Sequence, residues 1–330
     1  MECSHIPNVN VEKDKTPCIY LDTNAMIELS KHKRGVCTDS HKQKIGELYD
    51  MLTTLVREKR ILCPLGNQMQ EMGMTAERKV ARLFLYQFTN CKLLHPDLVF
   101  TEQMKVGYRA FSNAETPIQL GTDTVFKQNR YPDSRFVIHV DSVYSPEKAN
   151  GLRKEKNNIA AILNAMKANG EIKSNFDEQL RAELESEYIS FLTALTGLNA
   201  SDKAYMHYVG EIEKFYRITE ASPTADTEQH LNHLASYTAF LMSPYHNVLP
   251  YIWIRANLWS RLMHRERAVT PSDNLDIQWV AAYLPFVDYA VTDNACCSLL
   301  QESGIADLYG TKVYSFRTLE NLLCELSHLA

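Results

Sequence analysis

The apolar positions of the chain follow two rhythms. Between residues 17 and 95, short apolar runs alternate with helix-length stripes. "CIYL" (18–21) is a continuous apolar run of buried-strand length. "NAMIELSKH" (24–32) follows with helical spacing, and Asn24 is its expected N-cap. Ser40 and Gln43 have capping-box spacing ahead of a stripe of Ile45, Leu48, Leu52, Leu55 and Val56. "RILCP" (60–64) reads as a second strand. Residues 67–88 read as a helix with Val80, Leu83, Phe84 and Phe88 on one side, and "CKLLHP" (91–96) as a third strand.

The rhythm then changes. Residues 100–145 are irregular, with one strand candidate at "RFVIHV" (135–140). From about 147 to 268 the spacing predicts successive helices: "NNIAAILNAMKANG", "DEQLRAELESEYISFLTALTG", "SDKAYMHYVGEIEKFYRIT", "TEQHLNHLASYTAFL" and "VLPYIWIRANLWSRLMHRER". The strand–helix alternation returns from 271. "SDNLDIQWVAAYLP" is helical, "DYAVTD" a strand, "NACCSLLQESG" a helix, "TKVYSF" a strand and "RTLENLLCELSHL" a final helix. The expected architecture is therefore an α/β unit built from residues 1–98 and 269–330. Its sheet is mostly parallel, with helices on both sides. A mainly helical insertion, 99–268, interrupts it.

Composition narrows the class. The 330 residues are 45% hydrophobic and 23% charged, ordinary for a globular protein with a substantial core. The net charge of −5 gives no overall attraction to a polyanion, so any nucleic-acid contact needs a local basic patch or cations. The N-terminus lacks the apolar core of a secretory signal, and no run is long and apolar enough to span a bilayer. The eight cysteines form no CxxC pair. These features lead us to expect reduced thiols, a cytoplasmic location and no membrane partner. Homo-oligomerisation is left open.

The strand ends carry the chemistry. In a doubly wound parallel sheet, ligands sit outside the carboxyl ends of the strands. Asp22 follows "CIYL" and Asp293 follows "YAVT", so topology puts both there. Glu71, near the start of the helix after "ILCP", and Asp276, near the start of the helix feeding "YAVT", belong to the same edge. Four carboxylates so placed repel one another unless cations join them. An all-oxygen set favours Mg²⁺ or Mn²⁺, whose natural chemistry is metal-assisted phosphodiester hydrolysis.

"IYLDTNAMI", "CPLGNQMQE", "DIQWVAAYL" and "DYAVTDN" resemble the four acidic motifs of the PIN domain, a nuclease fold. The resemblance covers about 1–95 and 270–330 and leaves the helical insertion unmatched. It implies a PIN-like three-layer fold and a metal-dependent, single-strand-specific nuclease, most often a ribonuclease. Asp22, Glu71, Asp276 and Asp293 would be the catalytic metal ligands, with 5′-phosphate and 3′-hydroxyl products. Asn24, Thr292, Asn294 and Asp273 are secondary candidates. Asn24 and Asn294 are expected first as helix caps, and Asp273 competes with Asp276 three residues on. The alternative is a catalytically silent PIN-like module that binds RNA or protein. A haloacid-dehalogenase-like phosphatase also begins with a strand ending in Asp, but it needs a second Asp where Asn24 stands. Glu28 is expected to be solvated and Asp288 structural. The basic runs "KHKRG" (31–35) and "RLMHRER" (261–267) are candidate phosphate contacts. The aromatics of "PYIWIRANLW" are expected in the core.

Overall fold

A computed structural model describes residues 7–38, 40–66, 68, 89–127, 146–197, 201–222 and 226–329, with backbone alone at 146–149 and 152. Apart from Gln68, the expected 67–88 helix lies outside the described residues, as do "RFVIHV" and Glu71. In chain order the α/β portion opens with β1 (Val9–Val11), β2 (Ile19–Leu21), α1 (Thr23–Lys33), α2 (Lys42–Arg57), β3 (Pro64–Leu65) and β4 (Cys91–Lys92). Next come α3 (Pro96–Ser112) and β5 (Ile118–Leu120). The middle holds α4 (Pro146–Ala168), α5 (Phe176–Leu184), α6 (Ser186–Thr196), α7 (Asp202–Thr219), α8 (Thr227–Leu241), α9 (Pro244–Asn247) and α10 (Pro250–His264). The chain closes with α11 (Asp273–Tyr283), β6 (Tyr289–Val291), α12 (Asn294–Ser303), α13 (Ile305–Leu308), β7 (Lys312–Tyr314) and α14 (Leu319–Ser327).

The strands are short and parallel. β6 lies between β2 and β7, and β3 pairs with β4. A parallel bridge from Cys18 to Leu62 links the two groups, with the Ile19 amide donating to the Leu62 carbonyl at 2.8 Å. The spatial order is thus β4–β3–β2–β6–β7. The chain builds outward from β2 to β4, then returns to the other side of β2 with β6. Strand order therefore reverses between β2 and β6, and in open α/β sheets ligands bind at that point.

Side chains alternate across this sheet with the period of two that strands impose. Ile19, Leu21, Val291 and Tyr314 enter one core with Met26, Leu29, Leu48, Leu52, Leu322 and Leu326, from α1, α2 and α14. Cys18, Tyr20 and Ala290 enter the other with α3, α10 and α11. The mixed α/β architecture with helices on both faces follows from burial on both sides of each strand. The aromatic centre of the middle helices, Phe191, Phe215, Tyr237 and Phe240, belongs to that second core. Residues 99–268 thus share a core with the sheet, and the expected boundary at 98/99 falls inside α3.

Three local expectations are corrected. The Ser40–Gln43 capping box does not form; α2 starts at Lys42 after His41, and Gln43 donates to Glu47 at 3.0 Å. Part of the stretch expected to be irregular is α3, started by Pro96 and capped by His95. Its buried face includes the polar Thr101 and Gln103, which blur the apolar period. "DEQLRAELESEYISFLTALTG" is two helices broken at Glu185.

Candidate active site

Asp22 and Asp293 hold matching places on neighbouring strands. Leu21 is in register with Val291, and the Asp22 amide donates to the Val291 carbonyl at 2.9 Å. Each aspartate turns the chain from an extended strand end into a helix. Asp22 Oδ1 accepts from the Ala25 amide at 2.7 Å, and Asp293 Oδ1 accepts from the Cys296 amide at 2.8 Å. Each is therefore an N-cap, which corrects the expected capping by Asn24 and Asn294. Both asparagines lie one position or more inside their helices and are exposed. Side-chain oxygens at such caps satisfy amides that the helix itself cannot.

Asp276 joins them from α11. Tyr20, Asp22, Asp276, Trp279, Val280, Tyr283, Thr292, Asp293 and Cys296 line one cavity of about 20 Å³. That is room for a single water or a bare ion. Tyr20 and Tyr283 stack beneath it, with centroids 3.8 Å apart and planes at 22°. Both rings are buried, so the carboxylates stand over an apolar floor. Burial first, then Asp276, Asp293 and Asp22, pushes the Cys296 thiol well above its ordinary range. A single sulfur thus feels all three carboxylates. Burial likewise drives the Tyr283 hydroxyl up, with Tyr20, Cys296, Asp22 and Asp276 adding to it.

Asp273 does different work. Arg267 grips it with a two-pronged pair, Nη2 to Oδ1 at 2.7 Å and Nη1 to Oδ2 at 2.9 Å. The Thr270 amide donates to the same carboxylate at 2.6 Å. Of the two competing acids on α11, Asp273 fixes the start of the helix and Asp276 lines the cavity. Thr292 lines it too, and its hydroxyl donates to the Asp293 carbonyl at 3.2 Å.

Glu71 lies outside the described residues; Gln68, which is described, is bound beside the strand end that carries Asp22. Gln68, fully buried, donates from Nε2 to the carbonyl of Leu21, the residue before Asp22. Its Oε1 accepts from the Gly66 amide at 2.5 Å.

Sequence reasoning passed over the walls of the cavity. Trp279 and Tyr283 stand three and seven residues after Asp276, and Cys296 three after Asp293. Helical spacing alone puts them on the face of the acids. Two buried polar atoms here have no hydrogen-bond partner: Trp279 Nε1, in the cavity wall, and Thr23 Oγ1, beside Asp22. Among the described residues, no three His, Cys, Asp or Glu side chains are grouped tightly enough to hold a metal ion by themselves.

The remaining charges resolve into structural pairs. Asp288 accepts from the Cys18 amide at 2.8 Å, as expected of a structural residue. Glu28, expected to be solvated, is half-buried and pairs with Lys31 at 2.6 Å. In the second basic run, Arg261 bonds Asn257 at 2.9 Å and lies over the Phe176 ring, and Arg265 reaches Glu302 at 2.5 Å. Of the aromatics of α10, Tyr251 is buried as expected, whereas Trp253 and Trp259 are only partly buried, Trp259 packing against the same core. The described cysteines are free thiols. No described helix is long and apolar enough to cross a membrane. No protein-family model matches the chain, and neither a curated protein nor a solved structure does.

Proposed function

We propose that the chain is a PIN-type, metal-dependent nuclease that hydrolyses phosphodiester bonds of single-stranded RNA with a metal-activated water. One observation carries this reading. Asp22, Asp276 and Asp293 come from three separate segments yet line one small cavity where strand order reverses. The caps at Asp22 and Asp293 would be filled as well by asparagine or serine, so capping alone does not call for carboxylates at this cavity.

The donor set suits Mg²⁺ or Mn²⁺. Mg²⁺ takes one or two carboxylates, keeps several waters and completes its shell with substrate phosphate, so it needs no all-protein cage. Asp22, Asp276 and Asp293 would supply the carboxylates for such an ion. The unpartnered Thr23 hydroxyl next to Asp22 is a further oxygen of the kind such an ion or its waters attract. By the resemblance Glu71 would be the fourth acid of this set.

A bound divalent ion supplies a water of lowered pKa and offsets charge on the phosphate. The protein's part is to hold and orient. Asp22 and Asp293 are fixed by their caps, each spending Oδ1 on an amide. Asp276 is carried to them by α11, whose start Arg267 and Asp273 lock. The apolar floor of Tyr20 and Tyr283 lowers the local dielectric and so strengthens every charge interaction above it. The test is cleavage of a single-stranded RNA in Mn²⁺, with and without EDTA. Wild type should cut only with the metal, and Asp276→Asn should not cut. Metal-independent RNA binding without cleavage would instead identify a silent binding module.

A further inference from the structure

An acidic cavity has to admit a polyanion. The metal offsets part of the repulsion, and the protein needs a cation of its own on the approach. Two of the three arginines of the 261–267 run are engaged elsewhere: Arg261 lies on Phe176 and Asn257, and Arg265 on Glu302. Arg267 is different. Its guanidinium sits at the first turn of α11, forked onto Asp273, one helical turn before Asp276. Of five N–H donors, Asp273 takes two and the Ala268 carbonyl, at 3.1 Å, takes a third. Nε is buried and has no partner. A third of the side chain remains exposed. Its charge is felt at the cavity, for Asp293 and Asp276 both act on it beyond the Asp273 pair.

We propose that Arg267 receives the phosphodiester of the incoming strand at the edge of the Asp22–Asp276–Asp293 cavity, with Asp273 holding the guanidinium in place as a positioning residue. The inference rests on the nuclease reading of that cavity. With the fork on Asp273 and Nε buried, the second Nη2 N–H is the donor a phosphate oxygen can reach, and prior fixation by Asp273 reduces the ordering cost of binding. The same positive charge competes with the metal for the field of the carboxylates. Substrate and metal should therefore respond to Arg267 in opposite directions, whereas a purely structural arginine moves both the same way.

The experiment measures two affinities in Arg267→Gln and wild type. Mn²⁺ binding is read from the free-ion electron paramagnetic resonance signal. Binding of a fluorescent single-stranded RNA is read by anisotropy in Ca²⁺. RNA affinity should fall about tenfold or more, the loss of one charge-assisted contact, while Mn²⁺ binds more tightly than to wild type. Arg267→Gln leaves Asp273 without its partner, so Arg267→Gln/Asp273→Asn is measured beside it to keep the start of α11 neutral. The double variant should show the same RNA loss with near wild-type Mn²⁺ affinity. Unchanged RNA affinity, or metal and RNA affinity falling together in both variants, overturns the assignment of Arg267 alone. A wild type that binds no Mn²⁺ and cuts no RNA overturns the nuclease reading, and this inference with it.

Discussion

Asp22 and Asp293 sit side by side at the ends of two parallel strands and perform the same double task. Each closes a strand and caps the helix that follows, through Oδ1 and the amide three residues on. The geometry separates two properties that are usually lost together in a mutant. An asparagine can still accept the amide hydrogen bond, but it cannot supply the negative charge.

Asp22→Asn and Asp293→Asn should therefore keep their stability within a few tenths of a kcal/mol of wild type. Mn²⁺-dependent RNA cleavage should fall at least about a hundredfold, the loss of roughly 3 kcal/mol at the transition state. Asp22→Ala should lose both, with about 1 kcal/mol of stability gone from the cap. Urea unfolding and initial cleavage rates measured on the same preparations check this. Asparagine variants with wild-type activity would remove these carboxylates from the chemistry.

That pairing also shows what the sequence makes legible. A strand followed at once by an acid is a local signal, and "CIYLD" and "YAVTD" carry it plainly. Which residue caps the helix is not local. Asp22 and Asn24 are equally good caps, and the choice falls to Asp22 because pairing with Val291 fixes where the extended backbone ends. α3 was hidden because Gln103 is buried for a tertiary reason, to accept from the Tyr251 amide at 2.9 Å across 148 residues. Between Asp273 and Asp276 the spacing to the alanine pair at 281–282 favours Asp276, and what removes Asp273 from the cavity is its pairing with Arg267, which spacing does not show.

Gln68 gives a prediction about positioning. It is fully buried and joins the Leu21 carbonyl to the Gly66 amide. Gln68→Leu keeps the volume and removes both hydrogen bonds. The cost should be about 1–3 kcal/mol for each group left unsatisfied, with cleavage reduced although Gln68 lines no part of the cavity. Gln68→Leu with full stability in urea unfolding and an unchanged cleavage rate would show that the bridge is dispensable.

The middle helices should set the acid limit of stability. Glu187 is held at about 2, against the ordinary 4.5. Burial raises it, and Lys214 and Arg255, each 3.0 Å away, more than reverse that. The folded pKa lies below the unfolded one. The stabilisation is therefore complete above about pH 4.5 and is lost as pH falls through about 2. By linkage it amounts to about 3 kcal/mol at neutral pH. Glu187→Gln should be less stable than wild type by an amount of that order at pH 7. The difference should shrink as pH drops below about 4.5, measured by denaturant unfolding across pH. A pH-independent difference would count against the pairing.

The wall of the cavity offers a last, more stringent check, because its Trp279 is packed tightly against Gly66. A methyl added at Gly66 would meet Trp279 Cζ3 at 2.9 Å and Leu93 Cδ1 at 3.3 Å. The neighbours are well packed, Trp279 being 4% exposed and Leu93 3%. Gly66→Ala should therefore cost about 1–3 kcal/mol through overpacking against the indole. Trp279→Phe removes the ring edge that collides and the indole N–H that is buried without a partner. Its loss of packing is partly offset by ending that unsatisfied burial. The two changes touch the same space, so their effects cannot be independent. The double variant should be more stable than the sum of the single costs predicts, with a coupling of about 0.5–3 kcal/mol. Cleavage should follow the same pattern, with the second substitution restoring part of what Gly66→Ala removes. Strict additivity in urea unfolding would mean that Gly66 and Trp279 are not in contact, and the placement of Trp279 against the acidic cavity would fall with that result.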